Sequence, residues 1–329
     1  MIKFPYKIKE GWNLSNLDVS LKDSKLNKKS NFMGRLVKDR WLYIMLIPGV
    51  VFFLVFKYGP MLGLVSAFQD YQPFLGFLKS PWVGLKHFRR FFSEPAFFQL
   101  LRNTIILAFY NIVFYFPLPI IISLLLNEIR KSWFKRTVQT LIYIPHFLSW
   151  VVIASLTYTI LNGDSGVVNN LIIAHGGSKI NFLSSESYFR PLITGQVMWK
   201  DTGWGTIIFL AALAGVNPEL YQAAEIDGAN RWHQLLNITL PAIKSTIVTL
   251  LILRLGNFLD SGFEQIFLMI NPLNQNVGDV FDTYVYTMGI SNGQLSYTSA
   301  VGMFKSISSL VLVLLANYTA KKLGEEGIY

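Results

Sequence analysis

Residues 217–241 read NPELYQAAEIDGANRWHQLLNITLP, a polar stretch set between two membrane-length apolar segments. Its composition is wrong for burial in lipid and right for presentation to a partner protein. Asn217 is placed to cap a helix that Pro218 begins, and Glu219 sits where the helix dipole favours an anion. That helix carries the small pair Ala223 and Ala224 and then meets Asp227-Gly228, where glycine permits a sharp turn. A second helix follows, with Trp232, Leu235, Leu236 and Thr239 at i, i+3, i+4 and i+7 on one face. Pro241 is expected to end or kink it.

The flanks of this hairpin set the class. The chain has 329 residues, 52% hydrophobic and 15% charged. That balance belongs to a polytopic membrane protein rather than to a soluble enzyme. A span needs about 20 predominantly apolar residues. Six candidates qualify: 41–68, 103–127, 138–161, 191–215, 242–259 and 300–320. The fourth and fifth hold Lys200, Asp201 and Arg254. The chain has no cysteine, so there is no disulfide framework, thiol chemistry or Cys-ligated metal to argue from.

A formal net charge of +10 raises nucleic acid as a partner, and the placement of the charge argues against it. Residues 1–40 hold ten Lys/Arg against four acids, and the loop 128–136 holds four against one. Residues 260–304 hold no Lys or Arg. With the N-terminus in the cytoplasm, and Lys57 and Lys244 counted with the loops beside them, inside segments collect 18 basic residues, outside segments 8, and the spans 3. This is the positive-inside bias of six spans with both termini cytoplasmic. Residues 1–40 read as a basic cytoplasmic extension rather than a cleavable signal peptide, and 41–329 as the six-span domain.

Between the spans, the loop 69–102 is rich in aromatics, read as an interfacial segment or a docking surface. Pro117 and Pro119 should kink the second span. His146, beside Pro145 in the third, reads as a hydrogen-bonded residue of the bundle, because the four histidines share no metal-ligand spacing. There is no G-x-x-x-x-G-K-[ST] phosphate loop, nucleophile elbow or zincin helix in the chain. Any energy source is therefore expected outside this polypeptide.

Gln222-Ala223-Ala224, Asp227-Gly228-Ala229 and Ile238-Thr239-Leu240-Pro241 follow one another at fixed spacing. Together they resemble the EAA loop of permease subunits in ABC importers. Gln222 stands where that pattern has glutamate, which keeps the shape and removes a charge. Trp82-Val83-Gly84-Leu85, Asn103-Thr104, Phe263-Glu264-Gln265-Ile266, Asn271-Pro272-Leu273, Asp282-Thr283-Tyr284-Val285-Tyr286 and the tail 315–325 extend the likeness from about residue 41 to the end. They are similar to the maltose-type sugar permeases, in the LplB-like branch that carries poly- and oligosaccharides.

The resemblance implies an all-α integral membrane fold, the six-helix transmembrane domain of a type I ABC importer with a cytoplasmic coupling hairpin at 216–241. It implies residence in the bacterial inner membrane and alternating access. It also implies four kinds of partner: a second homologous permease, two cytoplasmic ATPase subunits that hold the ATP and Mg, an extracellular or periplasmic solute-binding protein, and a glycan. No cofactor is expected in this chain. Gln222, Ala223, Ala224, Asp227, Gly228 and Pro241 become the ATPase-coupling candidates.

For the transport path, ionisable and aromatic groups inside the spans are the informative ones, because they are expensive there. Trp199, Lys200, Trp204, Arg254, Asn257, Tyr284 and Tyr286 are the candidates, since sugars take aromatic faces plus hydrogen bonds. The competing reading pairs Lys200, Arg254 and Lys305 with Asp201, Asp260 or Glu264 to hold helices together. Three intramembrane cations would favour an acidic glycan. Other readings are an ABC permease for a non-sugar solute, an ion-coupled secondary carrier, which calls for inverted repeats not visible here, and a membrane-embedded enzyme.

Overall fold

The computed structural model describes residues 39–324 and Gly327. Most of the basic extension 1–40 lies outside the described residues. The chain divides into two compact units, Met1–Gly63 and Leu64–Tyr329.

Eight helices build the spans and the hairpin: α1 (Arg40–Phe68), α2 (Pro95–Glu128), α3 (Ser132–Phe147), α4 (Trp150–Leu161), α5 (Glu186–Ala214), α6 (Pro218–Ile226), α7 (Arg231–Gly256) and α8 (Leu295–Lys322). Four of them, α1, α2, α7 and α8, are long and apolar enough to cross a membrane alone. The pairs α3–α4 and α5–α6 bend by 101° and 68° at short breaks, which brings the possible spans to six. In α1 no residue of Arg40–Phe53 is buried.

The third expected span, 138–161, is therefore not one straight helix. Pro145 has no N–H to give, the turn Ile144–Phe147 tightens to 3-10 geometry, and Leu148 and Ser149 are extended. Ser149 then restarts the chain as α4 by accepting the N–H of Val152.

Prolines inside the other spans are absorbed rather than breaking them. A π-helical turn precedes Pro60, Pro117 and Pro241, at Leu54–Tyr58, Asn111–Tyr115 and Leu235–Thr239. In each case the residue just before the proline makes the wide bond: Gly59 to Leu54 O, Phe116 to Asn111 O and Leu240 to Leu235 O. The widened turn makes room for a ring that would otherwise strike the carbonyl four residues back. Pro241 thus neither ends the second hairpin helix nor separates it from the fifth span; α7 runs through both. The extra residue in the turn also splits the expected stripe. Trp232 and Leu236 are exposed while Thr239 is buried.

Loops at one end of the bundle are held by buried asparagines. Asn103 donates to the carbonyls of Asn276 (3.0 Å) and Asp279 (2.9 Å). Asn274 donates to Leu183 O and Met269 O, and Asn169 to Asn162 O and Ile180 O. Each of these three side chains is fully buried, so every bond replaces water that non-helical backbone would otherwise need.

The aromatic loop 69–102 is only partly interfacial. Phe91 is fully buried in a core with Leu100, Phe281, Tyr284, Tyr297 and Val301, because the short helix Lys86–Ser93 packs on α8. Phe74, Leu78 and Trp82 stay exposed. Beside that core the Glu94 carboxylate accepts the hydroxyls of Tyr284 and Tyr297 (2.8 Å each) and Arg90 Nε (2.8 Å). Burial pushes this carboxyl upward, but the bonds from Tyr297, Arg90 and Tyr284 together leave it below the ordinary glutamate value. A depressed carboxylate stabilises the fold above its unfolded pKa, and that contribution disappears as pH falls through the folded value. Glu94→Gln should therefore cost about 1–3 kcal/mol near neutral pH and flatten the acid limb. Thermal unfolding of the purified protein from pH ~7 to pH ~3 checks both.

Candidate functional site

Two places in the structure carry the functional candidates, and both depend on α5. The first is the hairpin. Asn217 Oδ1 accepts the N–H of Glu219 at 3.0 Å, fixing the start of α6 at Pro218. Gly228 has φ +78° with open space around it, so the turn needs glycine for its backbone angle and not for room. Asn230 then caps α7 by accepting the N–H of His233 at 2.9 Å. Arg231 reaches Glu128, at the end of α2, at 2.9 Å.

Gln222, Ala223, Asp227 and Pro241 are exposed and Ala224 is half-buried. The hairpin also presents large apolar side chains, with Ile226 87% and Trp232 65% exposed. An apolar knuckle at the end of a polar hairpin has the make-up of a contact surface for another protein. Ile226 was not a sequence candidate. Its place directly before Asp227-Gly228, at the tip of the turn, was the available signal.

The second place lies where α5 crosses the break in α3–α4. A Cβ on Gly203 would fall 2.1 Å from Ile142 O and 2.7 Å from Tyr143 Cα, so α5 packs there backbone against backbone. That approach delivers Lys200 to the break. Its ammonium donates to His146 O at 2.8 Å and to Leu148 O, two carbonyls released by the loss of helix geometry. It also lies 5.4 Å from the Trp150 ring centroid. Asp201 Oδ1 meets His146 Nδ1 at 3.2 Å, and Trp204 stacks on His146 with centroids 4.9 Å apart. Lys200, Asp201 and Trp204 thus form a clamp on the broken span.

Trp204 also helps line a cleft of about 200 Å³ with Tyr115, Pro119, Gly205, Arg254 and Asn257. The Arg254 guanidinium sits 5.2 Å from the Tyr115 ring centroid. Among the described residues Arg254 makes no ion pair with Asp260 or Glu264. Lys305 instead pairs with Asp282, which lies in the helix Phe281–Tyr286.

Of the path candidates, the structure brings together Trp204, Arg254 and Asn257. Trp199 lines a separate, largely apolar cleft with Ile153, Leu156 and Gln196. Tyr284 is buried in the Glu94 cluster with its hydroxyl engaged, and Tyr286 packs on Phe263 and Phe267. Tyr115 was missed by sequence reading; it closes the π turn before Pro117, a bulge that no local pattern announces.

Long apolar helices, an absorbed proline in three of them, a largely apolar cleft that holds Arg254 and Asn257, and an apolar-tipped hairpin define a multi-spanning transport permease. Residues 115–325 match the family of binding-protein-dependent transport system inner membrane components. The chain is 56% identical over 305 residues to the polygalacturonan/rhamnogalacturonan transport system permease protein YteP of Bacillus subtilis (strain 168), covering 93% of this chain and 95% of that one. It is 54% identical over 302 residues to protein LplB of the same organism, covering 92% and 95%. Among solved structures it is similar to a chain in the crystal structure of a bacterial alginate ABC transporter in complex with alginate pentasaccharide-bound periplasmic protein. There the TM-score is 0.84 at 36% identity, covering 91% of this chain and all of that one. The chain belongs to the family of binding-protein-dependent transport system inner membrane components.

Lys200→Met leaves two carbonyls without a donor and should destabilise the break by on the order of 2–4 kcal/mol. Lys200→Arg, which keeps the donors, should retain most of the stability. Thermal unfolding of the detergent-purified variants separates the two outcomes; equal loss in both would contradict the carbonyl role.

Proposed function

We propose that this chain is the membrane permease of an ATP-driven importer that carries oligosaccharides from acidic polysaccharides into the cell. The hairpin carries the coupling part of this reading. A tight glycine turn with Ile226 and Trp232 exposed on the hairpin suits a groove on a nucleotide-hydrolysing partner. Partner closure would push on α6 and reach the path through α5 and α7, which enter and leave the hairpin. ATP and Mg belong on two such cytoplasmic partners, and a second related permease completes the pore. A solute-binding protein on the opposite side delivers the sugar.

The path reading centres on the cleft of Trp204, Tyr115, Arg254 and Asn257. Aromatic faces and an amide suit a sugar ring, and a guanidinium without a carboxylate partner among the described residues suits a uronate. Of the three intramembrane cations, Lys305 is neutralised by Asp282 and Lys200 serves backbone carbonyls, so the acidic preference rests on Arg254. The names of the relatives, which carry polygalacturonan and alginate, support the same cargo class.

In the reconstituted importer, Gly228→Val should abolish uptake and the transport-linked rise in ATP hydrolysis while membrane insertion stays intact; normal uptake would end the coupling role. Wild type should take up uronic-acid oligomers in preference to neutral ones, and the reverse preference would end the acidic-cargo reading.

The orientation is tested separately. The chain has no native cysteine, so single cysteines at Gln222 and Leu78 report sidedness without background. Labelling by an impermeant maleimide in intact cells should reach position 78 and not 222, consistent with both termini in the cytoplasm.

A further inference from the structure

At the end of α5 away from the hairpin, two arginines from different helices converge on one amide. Arg190, on the second turn of α5, donates from Nη2 to Asn103 Oδ1 at 2.8 Å. Arg102, on α2, points Nη2 at the same oxygen at 3.4 Å and at Asn276 O at 3.2 Å. The Asn276 carbonyl is already taken by Asn103 Nδ2 at 3.0 Å and by Gln99 Nε2 at 3.2 Å. With 29 residues in α5, this place is about 40 Å along the helix from the hairpin.

The cluster is short of acceptors. A carbonyl oxygen offers two lone pairs, and three donors crowd onto that of Asn276. Two guanidiniums share one neutral oxygen, though each brings five N–H donors. Arg190 Nε is buried and has no partner. Among the described residues, neither arginine makes an ion pair. Glu186, one turn before Arg190, acts on it through space but makes no hydrogen bond to it, and the Asp279 carboxylate is engaged by Thr283 Oγ1 at 2.5 Å. A purely structural tie between α2, α5 and the 276–279 loop is already supplied by Asn103, which is uncharged and fully buried. Two like charges added beside it repel each other unless an anion joins them.

We propose that Arg102 and Arg190 form a carboxylate-binding station for acidic sugar residues at the end of the permease opposite the hairpin. The planar, forked donors of arginine match a carboxylate in a bidentate way, and the missing acceptors are what a uronate supplies. Arg102 is exposed and Arg190 half-buried, so a sugar carboxylate approaching from solvent meets Arg102 first. The station rests on the acidic-cargo reading and lies at a different place from the Arg254 cleft. It would hold one acidic unit of an oligomer as the chain enters.

The test uses the assembled importer in detergent without its solute-binding protein. Calorimetry with trigalacturonate as probe is compared with its carboxyl-reduced, neutral counterpart. Arg102→Gln should weaken trigalacturonate binding at least tenfold and leave the neutral trimer unchanged, while Arg102→Lys should lose less. Arg190→Lys, which keeps a donor for Asn103, should weaken it comparably without lowering thermal stability.

Wild-type affinity for trigalacturonate retained in Arg102→Gln, or no binding by wild type, overturns the station. So does an equal loss for both trimers. If Arg102→Gln impairs only association with the solute-binding protein, the arginines are a docking contact and the station is again overturned. Failure of the cargo reading itself is seen elsewhere, as wild-type importer preferring neutral oligomers in uptake.

Discussion

A backbone carbonyl released inside an apolar bundle has to find a donor that is not water, and this structure is organised by where those donors are. At the break between α3 and α4 the donor is Lys200. At the loop end it is a set of buried asparagines, Asn103, Asn169 and Asn274. Ahead of three prolines the helix instead widens by one residue, so that the ring is accommodated and the span continues. Each solution uses a different group, and each leaves the long helices free to do something other than pack as straight rods.

The consequences for function run through α5. Its close approach to α3 at Gly203 fixes Lys200, Asp201 and Trp204 on the break, and Trp204 carries the far side of that clamp into the cleft with Arg254. Its last turn leads into the hairpin, whose Asp227-Gly228 corner returns the chain into α7. Cleft and hairpin are therefore joined by two helices that each contribute to both. The helices that enter and leave the hairpin are thus the same ones that hold Trp204 and Arg254 further along their length.

Much of this was legible in the sequence. The hairpin's cap at Asn217, its glycine corner and its place before the last spans follow from local rules that tertiary structure did not override. Membrane class follows from length and apolar content. What could not be read were distances across the bundle. Lys200 and Arg254 look alike as isolated charges in apolar segments, yet one serves backbone carbonyls and the other faces a cleft. Tyr284 looks like a sugar-stacking residue but is enclosed with Glu94, 190 positions away in the chain. Pro241 has the usual mark of a helix end, and only the π turn before it reverses that inference.

The turn at Leu235–Thr239 has an evolutionary side. An i-to-i+5 turn is a helix carrying one residue more than its regular form, so it behaves as an insertion tolerated in place. Removing that surplus residue would restore ordinary winding but drive the Pro241 ring against the preceding coil. Proline and surplus residue thus form a matched pair, and lineages that lose one should be under pressure to lose the other.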